Sequence, residues 1–515
     1  MSVRRRRAPH QGAPVHRSIA TPRAAARTAL AATVLAAVLA AAGATRAHAQ
    51  PASPGTSPRA DSAALAAATD RVFAHLDRPG SPGCALAVYR DGRVAYARGY
   101  GLANLELDAP ITTRTVFDIG STSKQFTAMS ILLLAQDGKL SLDDPVQKHV
   151  PELPDFGRPV TIRHLLHHTS GLRDYIELMM LTGARAEDWT TDDEALAMIV
   201  RQKKLNFEPG SEFLYSNTGF FLMSVIVERA SGKSLARFAD ERIFQPLGMT
   251  STHFHEDHTM IVPRRATGYS PREGKGESGG FAIDMSDWEQ TGDGAVLTTV
   301  EDLLRWDENF YSARVGGRAL LDSMQRPATL NSGKPLEYAA ALFVSPYRGL
   351  RTVSHGGSWA GYRAELLRFP DQHLSVACLC NLATSNPSGL ARQVADVQLA
   401  GVLKGSAPVK AAAAGAANGG PARPPAGPAL PAARLAEYAG TYYSEELGGS
   451  AVTVAVDSGG LVLRGRNWPG ERLEPRGADQ FAVSYFTLRF AREGGRVRAF
   501  ALDLGRIRNL RFVRR

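Results

Sequence analysis

The chain has 515 residues, 44% hydrophobic and 21% charged, which is ordinary globular composition with apolar material for more than one core. The formal net charge of +10 is misleading, because eight arginines and no acid fall in residues 1–49 and the remainder carries only +2. A nearly neutral body lacks the concentrated Lys/Arg stripe that phosphate-backbone binding needs, so nucleic acid is excluded as a partner.

The first 49 residues read as a secretory signal peptide. Arg4 to Arg7, Arg17, Arg23 and Arg27 precede an uncharged Ala/Leu/Val run from Thr28 to Thr45, and Ala47-His48-Ala49 supplies a small-residue exit. Cleavage is expected after Ala49, leaving a periplasmic or secreted product. An uncleaved anchor is the alternative, although an alanine-rich run is weakly hydrophobic and a span needs about 20 strongly apolar residues. No later segment is long and apolar enough to span a membrane, so none is expected after signal cleavage.

Composition divides the rest. Residues 50–61 form a Pro- and Ser-rich tether, 62–403 a body, 404–431 an Ala/Gly/Pro linker with almost no large apolar side chain, and 432–515 a small tail domain. The body opens with two strand-like runs, from Cys84 and from Arg93, around Asp91-Gly92, a two-residue hairpin signal. It closes with Tyr362 to Phe369, a Pro370-Asp371 turn and Leu374 to Leu382. Between them lie helical periods: Ser121 to Asp137 stopped by Gly138, Thr190 to Gln202, Gly219 to Ala230 stopped by Gly232, and Glu301 to Phe310 behind a Thr298/Glu301 capping box. The expected fold is α+β, an antiparallel sheet built from both ends of the body with a helical subdomain between and a cleft where they meet. In the tail, period-two alternation broken by glycines predicts a small antiparallel sheet or barrel, and its arginines are expected on a solvated face. Cys84, Cys378 and Cys380 lie in apolar strand-like runs and read as core residues. Spacing alone does not settle whether Cys84 bridges to Cys378 or to Cys380.

The chemistry concentrates at Ser121-Thr122-Ser123-Lys124. One helical turn separates Lys124 from Ser121, so the amine reaches the hydroxyl, and a serine at a helix start has backbone N–H groups and the positive dipole end close by. A free lysine is neutral about once in 2,500 molecules at pH 7, so service as a base costs about 4.6 kcal/mol unless burial helps. Tyr215-Ser216-Asn217, between Pro209-Gly210 and a helix, offers a phenol for proton transfer and an amide to hold substrate. His355-Gly356-Gly357-Ser358 follows a strand-like run, and its glycines permit close approach of a substrate backbone. The hydroxyl of Ser121, the amine of Lys124 and the phenol of Tyr215 are expected to converge in direct contact beside this turn.

Together these motifs resemble the serine β-lactamase and penicillin-binding protein superfamily, in particular the class C-like branch with its D,D-peptidases and β-lactamase-fold esterases. Leu140-Ser141-Leu142-Asp143-Asp144-Pro145, Thr161 to Leu166, Thr169-Ser170-Gly171-Leu172, Pro246-Leu247-Gly248-Met249 and Gly292-Asp293-Gly294 extend the likeness across the body. The resemblance implies an exported serine hydrolase with no cofactor and no metal. Ser121 would be acylated by an ester, amide, peptide or lactam, Lys124 would be its proton partner, and Tyr215 a proton relay. Asn217, His355, Gly356 and Gly357 would bind substrate, with the N–H groups of Ser121 and Ser358 as oxyanion hole. His355 stands where many β-lactamases carry a lysine that attracts the substrate carboxylate, which makes an esterase or peptidase at least as good a reading as a lactamase. A penicillin-binding protein that acylates without efficient turnover, or binds cell-wall material, is the alternative. A third reading is a zinc hydrolase using His253, His255, Asp257 and His258, an H-x-H-x-D-H pattern. The Pro246-Leu247-Gly248 run before it opposes the buried strand such a site needs, so an exposed loop is expected there. His164, His167 and His168 read as a structural helix end.

Overall fold

A computed structural model describes residues 58–405, 427 and 430–515, apart from positions 273, 275, 469 and 484; the segment expected as a signal peptide and most of that expected as a linker lie outside the described residues. The body is organised by one six-stranded antiparallel sheet. In spatial order its strands are Phe343–Tyr347, Leu350–Trp359, Tyr362–Phe369, Leu374–Cys380, Cys84–Arg90 and Arg93–Tyr100. The two ends of the body therefore meet at the pairing of Cys84–Arg90 with Leu374–Cys380. The Asp91-Gly92 hairpin forms as its sequence predicts, both residues holding positive φ (51° and 71°).

One face of the sheet carries the helices Pro58–Phe73 and Pro387–Gln398 over an apolar layer that includes Phe73, Val376 and Val394. The first of these begins inside the stretch expected as a tether, because a proline at the first helical position lacks only an N–H that would be unbonded anyway. The other face packs on the helical subdomain, centred on the helices Lys124–Gln136 and Asn217–Ser231. The helix Asn217–Ser231 ends at Gly232 in the left-handed conformation, as expected (φ 73°). The cap of the helix Val300–Ser312 lies one residue later than read from sequence: Thr299, not Thr298, accepts the N–H of Asp302. Thr298 ends a strand instead, and two adjacent threonines made the register ambiguous.

The tail is a closed eight-stranded antiparallel barrel with its strands in sequence order, from Gly440–Ser444 to Ile507–Arg514. Closure removes free edges, and the alternating inward residues Leu461, Leu488, Phe500 and Phe512 fill its centre. The barrel is fastened to the body through buried polar contacts. Arg173 (side chain 0% exposed) pairs with Glu446 at 2.5 Å and donates to the backbone oxygens of Arg508 and Asn509 at 3.1 and 3.2 Å.

Two expectations about the core need correction. Cys84 and Cys380 are not merely apolar packing: they form a disulfide, and Cys378 stays a buried free thiol. Cys84 sits directly across from Cys380 in the strand pairing, whereas Cys378 faces Leu86, so register selects the partner. The tail arginines are not all solvated either, since Arg506 turns into the body, with its side chain 20% exposed.

Candidate active site

The strand Phe117–Asp118 delivers the chain to a single 3-10 turn, Gly120–Ser123, which runs directly into the helix Lys124–Gln136. Gly120 has φ 49°, and a Cβ there would lie 2.6 Å from the Ser358 nitrogen. A Cβ on Gly357 would lie 1.8 Å from the Ile119 oxygen. Only glycines at 120 and 357 let the Ser121 turn and the strand Leu350–Trp359 press together backbone to backbone, which explains Gly357 in the His355-Gly356-Gly357-Ser358 run. Asp118 locks the turn by accepting the Gly120 N–H at 2.7 Å; burial pushes its carboxyl up to about 6, against the pull of that N–H and of Arg265.

Ser121 is half-buried at the floor of a cavity of about 710 Å³, whose lining also includes Tyr215, Asn217 and Gly356 to Ser358. Lys124 is fully buried, and its Nζ donates to Ser121 Oγ at 3.0 Å, to Asn217 Oδ1 at 2.9 Å and to the backbone oxygen of Asp293. These three acceptors match the three donors of an ammonium group. Asp293 belongs to the Gly292-Asp293-Gly294 loop, which is tied to the same helix by Thr127 Oγ1 donating to the Gly292 oxygen at 2.7 Å. Its carboxylate accepts from the Tyr175 hydroxyl at 3.2 Å, and burial pushes it up to about 7 although Lys124 acts in the opposite direction.

Tyr215 lines the same cavity, but its phenol does not make the direct contact expected of it. The hydroxyl is buried without a hydrogen-bond partner, and Lys124 Nζ lies 5.1 Å from the ring centroid, over its face. The donors of Lys124 are already engaged, and the ring is held by His168, whose imidazole lies 4.1 Å from it. Asn217 receives its position from Asp174, which accepts the Asn217 N–H at 2.7 Å while capping the helix Tyr175–Leu181.

His355 is not a solvent-facing cation. Its Nδ1 donates to the Gly356 oxygen at 2.6 Å, which leaves Nε2 to accept from the Tyr338 hydroxyl at 3.1 Å. Tyr338 in turn accepts from His168 Nε2 at 3.1 Å, and His168 Nδ1 accepts the Ser216 N–H at 3.2 Å. Every donor in this chain has one acceptor if both imidazoles are neutral. Burial and the nearby Lys124 favour that state, pushing His355 down to about 3 and His168 well below its usual range. Of the three histidines expected at a helix end, His167 is the C-cap of the helix Ile162–Leu166, whereas His164 sits at its start in a capping box with Thr161.

The His253 to His258 run does not gather into one centre. His253–Phe254 is a short strand paired with Leu297 and Val296, rather than the exposed loop expected. His255 is buried and lines the cavity, its Nε2 accepting from Arg265 at 3.2 Å; burial and Arg265 push it down to about 4. His258 turns away to Glu289 at 2.7 Å. The residues sequence reading missed are Asp174, Tyr338 and Arg506, all brought in from distant segments.

The sequence model of the Beta-lactamase family matches residues 68–400, so the chain belongs to that family. Among curated relatives, a D-aminopeptidase of Gluconobacter oxydans is 34% identical over 66% of this chain and 61% of its own length. Penicillin-binding protein 4* of Bacillus subtilis is 33% identical over 56% of this chain and 66% of its own. The chain thus spans somewhat less than two thirds of each of these two relatives. Among solved structures, the octameric penicillin-binding protein homologue from Pyrococcus abyssi superposes with a TM-score of 0.57 at 26% identity, covering 88% of this chain and 99% of its own. The last match takes in the barrel as well as the body. Among the described residues no helix is long and apolar enough to cross a membrane.

Proposed function

We propose that the protein is a serine hydrolase that acylates Ser121 with the acyl part of a small amide, peptide or ester and releases it to water. The observation that carries this reading is the 3.0 Å contact between Lys124 Nζ and Ser121 Oγ at the floor of an open cavity. As the Ser121 Oγ–carbon bond forms, the hydroxyl proton passes to the Tyr215 oxygen. The phenol then returns it to the departing amine or alcohol as the carbon–nitrogen or carbon–oxygen bond breaks. A water repeats the sequence on the acyl-enzyme and restores Ser121. The N–H groups of Ser121 and Ser358 face the developing oxyanion, in support of which the Gly120 and Gly357 contacts hold the two backbones together. Asn217 acts on substrate through its amide nitrogen, its oxygen being engaged by Lys124.

Amides and peptides are favoured over lactams for two reasons. The residue at the lactamase lysine position is a neutral, internally bonded histidine, and relatives carry the name D-aminopeptidase. The basic and then apolar leader ending in Ala47-His48-Ala49 supports export with cleavage after Ala49, and the Ala/Gly/Pro composition of residues 404–431 supports a linker between hydrolase body and barrel. A fluorophosphonate probe with intact-mass analysis tests the chemistry on wild type and Ser121→Ala, beside turnover of a D-aminoacyl nitroanilide, a nitrophenyl ester and a chromogenic cephalosporin. Labelling lost in Ser121→Ala with chelator-insensitive turnover supports the proposal. Labelling without turnover supports a penicillin-binding role at cell-wall material, and chelator-sensitive turnover surviving in Ser121→Ala overturns it.

A further inference from the structure

The last hairpin of the barrel, between the strands Arg496–Leu504 and Ile507–Arg514, ends against the catalytic cavity. Its turn is fixed on both sides. The Arg506 N–H donates to Glu177 Oε2 at 2.8 Å, and the Arg506 oxygen accepts from Asn206 Nδ2 at 2.8 Å and from the Asp174 N–H at 3.4 Å. Gly505 leaves room for this seat, since a Cβ there would lie 2.7 Å from Glu177 Oε1. The Arg506 guanidinium lies 4.9 Å from the centroid of the Tyr215 ring, with Nη1 3.5 Å from Asp174 and Nε buried without a partner. The Tyr215 hydroxyl and the neighbouring Ser216 Oγ are also buried without a hydrogen-bond partner.

The groups around Tyr215 divide cleanly by charge. His168, His355 and Tyr338 face the ring and are neutral, and Lys124 is the cation contributed by the body. Behind them, Asp174 offsets one positive charge. Burial and the nearby Asp174 push Glu177 up to about 8, and Asp293 stands at about 7, so at neutral pH neither is a full negative charge. Lys124 and Arg506 are the two cations against the Tyr215 ring, so without Arg506 only Lys124 remains to offset negative charge on the phenol.

We propose that Arg506, supplied by the barrel, is a positioning residue for Tyr215, its guanidinium over the ring stabilising the negative charge with which the phenol accepts the proton of Ser121. The inference rests on the proton-accepting role of Tyr215 proposed above. It gives the barrel a direct part in the chemistry.

The test is the pH dependence of fluorophosphonate labelling of the full chain, a readout that does not require the substrate to be known. Removing the cation raises the energy of the phenolate, so in Arg506→Gln the acidic limb moves to higher pH by about one unit and labelling at pH 7 slows about tenfold. Arg506→Lys, with a shorter, point-like charge, moves the limb about half as far. Arg508→Gln, which loses the docking contacts to Glu212 and to the ring of Phe207, leaves the limb in place. In a Tyr215→Phe background, Arg506→Gln adds less than twofold. A uniform loss at every pH, present also in the Phe background, means that Arg506 only docks the barrel and overturns the inference. So does an unmoved limb in Arg506→Lys, which serves should Arg506→Gln fail to fold. If Tyr215→Phe alone labels at the wild-type rate, the proton-accepting role of Tyr215 fails first, and the two failures are told apart.

Discussion

Replacing Lys124 by methionine separates chemistry from architecture. The side chain is fully buried and similar in length to methionine, so the apolar stem keeps its packing and only the amine is lost. That amine contacts the hydroxyl of Ser121 and faces the ring of Tyr215, so its removal deletes both a charge-assisted hydrogen bond to the nucleophile and a cation beside the proton acceptor. Positioned proton-transfer groups contribute about 10²- to 10⁴-fold, so labelling of Ser121 is expected to slow by about 10³-fold, close to 4 kcal/mol in the barrier. Stability is pulled in both directions. Asn217 Oδ1 and the Asp293 oxygen lose their donor, at about 1 to 3 kcal/mol each, but a buried charge disappears with it. The assay is stopped-time fluorophosphonate labelling followed by intact mass, with urea unfolding of the same sample. Labelling within tenfold of wild type in a folded Lys124→Met would refute the assignment of Lys124 to the nucleophile, whatever its effect on stability.

Arg173→Met leaves Glu446 buried at the barrel junction without its cation and is expected to cost about 3 to 5 kcal/mol, seen as a lower urea midpoint; a loss below 1 kcal/mol contradicts the buried pair. Replacing both Cys84 and Cys380 by serine opens a link between residues 296 apart and should destabilise by about 2 to 5 kcal/mol, while Cys378→Ala leaves wild type sensitive to reductant in the same unfolding assay. His355 is held at about 3, below its unfolded value near 6.5, so the native state binds fewer protons than the unfolded one in that window. Its contribution is therefore fully present above pH 6.5 and is lost as pH falls toward 3. His355→Asn should flatten the fall of stability between pH 6 and 4 by about 1.4 kcal/mol per pH unit, and an unchanged slope contradicts a neutral buried imidazole.

What could be read from the sequence was local. Ser121 and Lys124 lie one turn apart, so their contact follows from helix geometry alone, and Asp91-Gly92 carries its turn type in its residues. The two-ended sheet was legible because both runs that form it are long, apolar and β-branched or small. The companions of Tyr215 were not, because His168, Tyr338 and Arg506 approach it from segments whose meeting depends on tertiary packing. His168 reads in sequence as the end of a short helix, yet it supports the Tyr215 ring and starts the hydrogen-bonded chain to His355. Arg506 is one of 14 arginines from Arg434 onward, and alternation gave it the same solvated reading as its neighbours. The His253 to His258 pattern misled in the opposite sense: His253 and His255 stay side by side, with His255 held by Arg265, but the chain then carries His258 away to Glu289.

The most direct measurement traps the intermediate: the protein is quenched in acid during turnover of a short-chain nitrophenyl ester, weighed intact and digested for peptide mapping. An acyl increment on the peptide carrying Ser121, absent when that residue is alanine, is the expected result. An unmodified protein during sustained turnover, or an adduct on a different side chain that persists in the alanine variant, would contradict it.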